Sequence, residues 1–359
     1  MVCVEGILPS CDAGILPAFH AQAEGGTPSG LADGTAATRS HEVLNGNWYR
    51  DKSQIAHGKV MTAQIIDGKQ VAAGIRAELK DEVAKLKGRG VTPGLGVILV
   101  GDDPASVSYV TGKERACDEI GLYSDHNHLP AGTSQEELLA LVRRMNGDPK
   151  INGILVQLPL PRHISESEVL LAIDPDKDVD GFHPVNVGKM VVGEKAFLPC
   201  TPHGVVQLLL RSTVTIDGAH VVIVGRSNIV GKPLANILIQ KNRMGNATVT
   251  VCHTRTKDLA RHTRQADIVI AAAGRPNTIT TDMVRDGVVV IDVGVNRVED
   301  ATKQKGYRLV GDVDFEAVKE KASLITPVPG GVGPMTITML LYNTVESAKR
   351  AAGLSPATA

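Results

Sequence analysis

Two side chains that could take part in chemistry lie four residues apart on one predicted helix. Tyr109 and Lys113 follow Asp103-Pro104, where a carboxylate suited to capping a helix precedes a proline suited to the first helical position. Residues four apart lie on the same helix face. A buried lysine can lose its charge and act as a base, whereas an exposed lysine is ordinary solvated surface. The spacing alone leaves both interpretations open.

A second set of candidates lies where an apolar strand is predicted to end. The stretch 153–161 reads GILVQLPLP, so the apolar run meets Gln157 and then two prolines, which a central strand does not accommodate. In open α/β sheets, ligands bind at the carboxyl ends of the strands. Val156, Gln157 and Leu158 are therefore candidates for the wall of a pocket.

An acidic loop follows at Asp178-Val179-Asp180-Gly181. Asp180 could accept hydrogen bonds from the N–H groups of a polar ligand, because a carboxylate can accept two at once. Short acidic side chains also initiate turns and cap helices, so a purely structural function of this loop remains open.

The stretch 327–336, PVPGGVGPMT, contains three prolines and three glycines and therefore cannot lie inside a helix or a central strand. Proline restricts the backbone and glycine allows close approach of a flat ligand, so the stretch suits the wall of a binding site. The alternative is a sharp connection between a strand at 323–326 and a C-terminal helix at 335–350. Composition alone does not distinguish the two.

A candidate nucleotide site lies at 221–233, VVIVGRSNIVGKP, where an apolar strand, a glycine turn and a helix start follow one another. A phosphate could lie at the N-terminus of that helix. The spacing is G-x-S-x-x-x-G and not G-x-G-x-x-G, so an ordinary strand-to-helix turn is also possible. The next strand ends in Thr254-Arg255 without an acidic residue for a ribose. Together with Arg226, these groups favour the 2′-phosphate of NADP, unless they are solvated loop residues.

These candidates require a scaffold, and the sequence predicts one. From Met61 onward, short β-rich runs alternate with helix-length segments, the pattern of parallel sheets covered by helices. The predicted strands are 63–66, 96–100, 122–129, 153–157, 220–224, 248–253, 268–273 and 288–293. The predicted helices are 68–88, 104–120, 134–146, 165–172, 256–266 and 281–286, with others starting at Thr201-Pro202 and at Lys232. The last of these strands leads to Gly294-Val295, where backbone could contact the nicotinamide end of a cofactor.

Composition excludes several classes of function. The 38 basic and 39 acidic residues give a net charge of -1, and no basic stripe is interleaved with aromatic residues, so we expect no nucleic-acid partner. The five cysteines lack CxxC spacing, which argues against a disulfide framework and a metal site and favours a reducing, cytoplasmic location. No apolar run reaches the roughly 18 residues that a membrane span needs.

The first 60 residues differ from the rest of the chain. They are rich in Gly, Ala, Pro and Ser, and the tetrapeptide GILP is repeated at 6–9 and 14–17. The first basic residue is Arg39, so neither a secretory signal nor a transit peptide is indicated. We expect residues 1–60 to be a low-complexity, disordered extension or the product of a misassigned start codon, with the enzyme itself starting at Met61.

In combination, these motifs resemble the bifunctional methylenetetrahydrofolate dehydrogenase/cyclohydrolase family. The resemblance rests on Tyr109 to Lys113 and on the motifs VQLPLP (156–161), DVDG (178–181), GRS (225–227) and PGGVGPMT (329–336), which occur in that order. It extends roughly from Met61 to Gly353. It implies NADP-dependent oxidation of 5,10-methylenetetrahydrofolate and hydrolysis of the resulting 5,10-methenyl cation to 10-formyltetrahydrofolate in the same cleft.

The resemblance also implies a function for each matching residue. Lys113 would activate water or accept its proton, Gln157 would hold Lys113, and Tyr109 would stack on the folate. Asp180 would accept hydrogen bonds from the pterin. The remaining expected folate contacts are Val156, Leu158, Pro329, Gly330, Gly331, Pro334 and Thr336, and the expected NADP contacts are Gly225, Arg226, Ser227, Thr254 and Val295.

The expected fold is two α/β domains flanking a cleft, the second a Rossmann-like doubly wound NADP-binding domain. The expected bounds are 61–197 plus 335–353 for the folate-binding domain and 198–334 for the NADP-binding domain. The resemblance further implies a homodimer. Two rival interpretations are an NADP-dependent amino-acid or shikimate-type dehydrogenase, which leaves the stretch 327–336 unexplained, and a folate dehydrogenase without hydrolase activity, which leaves Lys113 unexplained.

Overall fold

A computed structural model of the protein describes residues 62–303 and 306–354. The expectation about residues 1–60 therefore lies outside the described residues. The strands are β1 (Gln64–Ile65), β2 (Gly94–Val100), β3 (Tyr123–Leu129), β4 (Gly153–Val156), β5 (His220–Val224), β6 (Thr248–Cys252), β7 (Ile268–Ala271), β8 (Val289–Asp292), β9 (Asn296–Glu299), β10 (Tyr307–Val310) and β11 (Leu324–Ile325). The α-helices are α1 (Gly68–Lys87), α2 (Pro104–Ile120), α3 (Gln135–Gly147), α4 (Glu166–Ala172), α5 (Pro184–Val192), α6 (Cys200–Arg211), α7 (Gly231–Leu238), α8 (Leu259–Thr263), α9 (Phe315–Val318) and α10 (Gly333–Ala351).

The strands form two parallel sheets and one hairpin. The first sheet has the order β3-β2-β4, and the second has the order β1-β11-β8-β7-β5-β6. The strand order of the second sheet reverses beside β5, whose neighbours are β6 and β7. Such a reversal opens a crevice at the carboxyl ends of the strands, where open α/β sheets bind ligands. The expected α/β fold with a doubly wound nucleotide-binding half is confirmed.

Successive side chains of the central strands point to opposite faces of each sheet, and both faces are buried. In β5, Val221 and Ile223 join one core cluster, whereas Val222 and Val224 join another on the opposite face. In β2, the same alternation places Val97 in the cluster that it shares with β5. That shared cluster also contains the apolar faces of α1, α6 and α10, so these three helices pack between the two sheets.

Several predicted element bounds are wrong, each for a local reason. The predicted helix 256–266 begins only at Leu259, because Asp258 has a left-handed backbone and caps α8. The predicted helix 281–286 is a 3-10 turn at Thr281–Met283, after which the backbone is extended. Thr201 does not cap its helix: α6 starts at Cys200, and the Thr201 hydroxyl instead lies 2.9 Å from that of Thr336.

The first described strand does not belong to the first sheet, which has the order β3-β2-β4. β1 pairs with β11 at the edge of the six-stranded sheet, although the predicted bounds place residues 61–197 together. The chain therefore starts in the second sheet and crosses to the first through α1. The domain bounds themselves stay a prediction.

Candidate active site

Lys113 lies at the centre of the candidate site, on α2. Asp103 caps this helix by accepting a hydrogen bond from the backbone N–H of Ser106 at 2.8 Å, and Pro104 occupies the first helical position. The helix then carries Tyr109 and Lys113 to the same cavity. Their exposures differ: Lys113 is 8% exposed, whereas Tyr109 is 50% exposed. Lys113 is thus not a solvated surface lysine, and Tyr109 presents an open ring face.

The ammonium group of Lys113 has a neutral partner. Its Nζ donates to Oε1 of Gln157 at 2.9 Å, directly after the end of β4. Gln157 is itself held, because its Nε2 donates to the carbonyl oxygen of Leu158 at 2.7 Å. Burial lowers the pKa of Lys113, and the nearby carboxylate of Asp180 opposes that effect. A lysine in this position is easier to deprotonate than one in water.

The acidic loop has one structural and one cavity-lining carboxylate. Asp178 is buried and accepts hydrogen bonds from the backbone N–H groups of Gly181 and His183 and from the side chain of Asn186. The structural function that the sequence left open therefore belongs to Asp178. Asp180 lines the cavity of Lys113, and its burial raises its pKa to about 6.

Two thiols near Lys113 were not identified from the sequence. Cys200, at the start of α6, lines the cavity, and its Sγ–H donates to the carbonyl oxygen of Val179 at 3.3 Å. Cys117 lies one turn after Lys113 on α2. Burial raises the pKa of Cys117 to about 12 and that of Cys200 well above its usual value, so both thiols are neutral at physiological pH. Neutral thiols leave Asp180 as the carboxylate whose charge acts on Lys113.

The cavity measures about 350 Å³ and brings most of the predicted folate residues together. The predicted residues in its wall are Tyr109, Lys113, Val156, Gln157, Leu158, Asp180, Val295 and Thr336. The wall residues that the sequence did not indicate include Phe182, Ile229, Val230, Val293 and Ile337. These are apolar side chains on either side of the polar groups, and no local pattern distinguishes them from core residues.

The proline- and glycine-rich stretch forms a neighbouring pocket of about 220 Å³. Its wall includes the predicted residues Pro329, Gly330, Gly331 and Pro334, and it shares Tyr109, Val293, Val295, Val332 and Gly333 with the first cavity. Position 68, at the start of α1, requires a glycine because its backbone lies very close to this stretch. A Cβ built on Gly68 of α1 would lie 1.7 Å from the carbonyl oxygen of Gly331. The start of α1 therefore supports this stretch from behind.

The predicted cofactor residues lie at the crevice beside β5. Gly225 directly follows that strand with a φ of 144°, and a Cβ built there would lie 2.1 Å from the carbonyl oxygen of Ala272 after β7. A Cβ on Gly231 would lie 2.1 Å from the carbonyl oxygen of Gly225. The strand-to-helix turn is thus as tight as a dinucleotide fold requires, and it fits a phosphate-bearing cofactor.

The side chains around that turn are solvent-exposed. Arg226 and Ser227 follow Gly225, and Thr254 lies in the loop after β6; all three are exposed, as is Val295. Ser227 helps to shape the turn, because its Oγ accepts a hydrogen bond from the backbone N–H of Val230 at 3.1 Å. Exposed positive charge at the open edge of the crevice suits a phosphate group at the far end of a dinucleotide.

Two buried carboxylates hold the loops at the nucleotide end. Asp292 accepts three hydrogen bonds, from the backbone N–H groups of Gly294, Asp312 and Val313. Asp312 also accepts three, from the backbone N–H groups of Ala273 and Gly274 and from the side-chain amide of Asn296. Burial raises the pKa of Asp292 to about 6. These bonds fix the loop of Val295 against the loop after β7. Sequence reasoning missed this pair.

The described residues contain no group of three or more His, Cys, Asp or Glu side chains placed to hold a metal ion. Likewise, no helix in residues 62–303 and 306–354 is long and apolar enough to cross a membrane.

Comparison with family models covers both halves of the chain. Residues 66–180 match the catalytic domain of tetrahydrofolate dehydrogenase/cyclohydrolase, and residues 199–352 match the NAD(P)-binding domain of the same enzymes. Among curated relatives, the bifunctional protein FolD of Dehalococcoides mccartyi is 62% identical over 296 residues, which covers 82% of this chain and 99% of the relative. The FolD protein of Moorella thermoacetica is 59% identical over 290 residues, 81% of this chain and 100% of the relative.

Solved structures agree with this relationship. The FolD dehydrogenase/cyclohydrolase of Campylobacter jejuni superimposes with a TM-score of 0.76 at 52% identity, covering 80% of this chain and 99% of that structure. The Trypanosoma brucei FolD, solved with NADP cofactor and an inhibitor, superimposes with a TM-score of 0.76 at 43% identity, covering 81% and 98%. The resemblance inferred from five sequence motifs is confirmed, and this chain belongs to the tetrahydrofolate dehydrogenase/cyclohydrolase family.

Proposed function

We propose that the cavity around Lys113 carries out both reactions of this family. The enzyme is an NADP-dependent methylenetetrahydrofolate dehydrogenase and a methenyltetrahydrofolate cyclohydrolase. The observation that carries the residue assignments is the buried Lys113 Nζ, held 2.9 Å from Oε1 of Gln157 in a cavity that Asp180 also lines. An amino-acid or shikimate-type dehydrogenase is not favoured, because the family match covers both halves of the chain.

In the first reaction, the chain binds and orients its substrates. Bound NADP supplies the hydride acceptor. Tyr109, whose ring is half exposed at the cavity mouth, stacks on the flat rings of the folate. Asp180 accepts hydrogen bonds from the N–H edge of the pterin, which sets the register of the substrate in the cavity. The remaining proposed folate contacts are Val156, Leu158, Pro329, Gly330, Gly331, Pro334 and Thr336.

In the second reaction, water adds to the methenyl carbon of the cationic product. The neutral amine of Lys113 takes a proton from that water as the new C–O bond forms. The carbon–N5 bond then breaks as the hydroxyl group loses its proton to solvent and becomes the formyl carbonyl. N5 keeps the bonding electrons and takes the proton back from the Lys113 ammonium, the formyl group stays on N10, and one proton is released overall. Burial favours the neutral amine before the step. Gln157 holds Nζ in place without adding a charge that would stabilise the ammonium form.

We propose that the cofactor contacts are Gly225, Arg226, Ser227, Thr254 and Val295. The tight backbone at Gly225 and Gly231 supports a phosphate at the start of α7. Arg226 is exposed and can pair with a 2′-phosphate, which NAD lacks. The Val295 loop, held by Asp292 and Asp312, lines both the folate cavity and the pocket of the glycine-rich stretch.

A single absorbance experiment tests this function. Purified protein is mixed with 5,10-methylenetetrahydrofolate and either NADP or NAD, and the reduced cofactor and the methenyl compound are followed separately. We expect NADPH to form with little lasting methenyl compound, and NAD to be reduced more slowly. Lasting accumulation of the methenyl compound would contradict the hydrolase assignment, and no cofactor reduction would contradict the dehydrogenase assignment.

We also propose a homodimer that works in the cytoplasm. The dimer rests on the family resemblance. The cytoplasmic location is supported by Cys117, Cys200 and Cys252, which are free and buried thiols. Light scattering during size-exclusion chromatography and cell fractionation test these two points. A monomer at micromolar concentration, or activity in the secreted fraction, would contradict them.

A further inference from the structure

A second cavity lies behind the segment 197–200. Phe197 and Leu198 line this cavity, whereas Cys200, two residues later, lines the folate cavity. The second cavity measures about 590 Å³ and shares no lining residue with the folate cavity. Pockets that bind small organic ligands typically measure about 300–1,000 Å³. The catalytic assignments above leave this cavity without a function.

Three residues with aromatic rings contribute to its inner wall. The ring of His203 on α6 meets that of Tyr342 on α10 edge to face, with the ring centroids 5.3 Å apart and an interplanar angle of 83°. Phe197 is 1% exposed and completes this wall. Burial lowers the pKa of His203 to about 4, so its ring is neutral at physiological pH. Phe197 and His203 are buried behind this wall, whereas Tyr342 is half-buried, so the Tyr342 ring is the flat, uncharged surface that a planar ligand can meet.

Positive charge predominates at the rim. Arg350 and Arg243 both line the cavity, and the Arg350 guanidinium lies 4.2 Å from the centroid of the Phe197 ring. Of the two carboxylates in the wall, Glu346 forms an ion pair with Lys349 at 2.5 Å. That leaves Glu194 against three basic residues in the wall, the two arginines and Lys195. A guanidinium over an aromatic ring keeps its N–H donors at the ring edge free to meet an anion.

From this combination we infer that the cavity behind segment 197–200 is a second binding site, and that it takes a planar organic anion. The flat part of the ligand would lie against Tyr342, whose ring His203 meets edge to face from the core. Its carboxylate or sulfonate would meet Arg243 and Arg350. None of these residues belongs to the catalytic or cofactor-binding set, so the inference is independent of the proposed function.

The test uses the full chain and 8-anilinonaphthalene-1-sulfonate, an anion that carries a planar naphthalene ring and whose fluorescence rises on binding. The titration is made with tetrahydrofolate and NADP at saturating concentrations; tetrahydrofolate lacks the one-carbon unit, so this pair fills the cleft without reacting. We expect one probe molecule to bind per chain with both ligands present. A probe that these ligands displace would lie in the cleft, and the inference would be wrong.

Three variants locate the bound probe. Arg243→Glu should weaken its affinity by roughly tenfold or more, through the lost attraction and the added repulsion. Lys241→Glu makes the same charge change two residues away, outside the cavity wall, and should change the affinity by less than about twofold. Gln207→Trp should fill the cavity and prevent binding. All three should retain dehydrogenase activity, which shows that they fold. Wild-type affinity in both Arg243→Glu and Gln207→Trp would overturn the inference.

Discussion

The two sides of the active cleft are built in different ways. On the folate side, Lys113 is buried, Asp180 lines the same cavity, and burial changes the pKa of both. On the nucleotide side, Arg226, Ser227 and Thr254 are exposed, and the tightest features are backbone contacts at Gly225. This difference between the two sides matches their proposed functions. Proton transfer needs a group whose pKa the protein has moved, whereas cofactor binding needs preformed backbone and an accessible charge.

This contrast has a structural origin. The folate side is formed by α2, the end of β4 and the start of α6, and α2 and α6 pack around the shared core together with α1 and α10. The nucleotide side lies at the carboxyl ends of the strands in the second sheet, where loops follow β5, β6 and β7. Substitutions on the folate side should therefore change hydrolysis and folate affinity, and those on the nucleotide side should change cofactor affinity.

The largest expected effect is that of Lys113→Met. Removal of the amine should lower methenyltetrahydrofolate hydrolysis by about 10²–10⁴-fold, the usual contribution of a positioned general base. Cofactor reduction should fall much less, so the methenyl compound should accumulate. Lys85→Met, an exposed position at the end of α1, is the matched control. Equal losses of both activities in Lys113→Met would contradict a specific function in hydrolysis.

Asp180→Asn should raise the KM for the folate by roughly 10- to 100-fold, since hydrogen bonds to a charged group contribute about 1.5–3 kcal/mol. The wild-type enzyme should also lose folate affinity as the pH falls through about 6, where Asp180 becomes protonated and can no longer accept two hydrogen bonds. The variant should lack this pH dependence. Asp292 has a pKa in the same range, so a pH dependence that persists in Asp180→Asn would assign it to the nucleotide end. Asp176→Asn, at an exposed position, is the control.

Arg226→Gln should act on the cofactor alone. The KM for NADP should rise by roughly tenfold, because one charge-assisted contact to a phosphate is lost. The KM for NAD and the KM for the folate should stay unchanged. Arg89→Gln, at an exposed position beyond α1, controls for the change in net charge. An equal rise in KM for NAD and NADP would mean that Arg226 does not read the 2′-phosphate.

A smaller effect on the KM for the folate is expected from a substitution at Asn343, behind the folate cavity. Asn343 is buried on α10 and donates to the carbonyl oxygens of Val179 and Leu198 at 2.8 and 3.0 Å, which ties the Asp180 loop to the start of α6. Asn343→Leu should raise the KM for the folate by roughly two- to fivefold and lower the free energy of unfolding by about 1–3 kcal/mol. Asn236→Leu on α7 is the control. A loss of stability with an unchanged KM would limit Asn343 to a structural function.

Much of this architecture could be predicted from the sequence. The helix that carries Tyr109 and Lys113 has the predicted bounds, because Asp103-Pro104 starts it and Gly121, in a left-handed conformation, ends it. The end of the strand before Gln157 and the turn at Gly225 also follow from local residues. Five motifs in order then identified the family, which no single motif could have done.

The rest depended on contacts between distant parts of the chain. The pairing of β1 with β11 joins residues about 260 positions apart, and no local pattern encodes it. Asp178 and Asp180 have the same residue type and differ only in what surrounds them. The neutral thiols of Cys117 and Cys200, the Asp292–Asp312 pair and the hairpin of β9 and β10 also escaped prediction, because burial and pairing in three dimensions define them.

The central claim is that burial makes Lys113 the base of the hydrolysis. The most direct test measures kcat/KM for methenyltetrahydrofolate hydrolysis against pH in the wild-type enzyme and in Lys113→Met. Both proteins should share the rise near pH 6 that the ionisation of Asp180 causes. We predict that the wild-type rate also rises through a further ionisation, that of Lys113, below the ordinary lysine pKa of 10.5, because burial favours the neutral amine. That ionisation should be absent from Lys113→Met. An identical pH profile in both proteins would contradict the account.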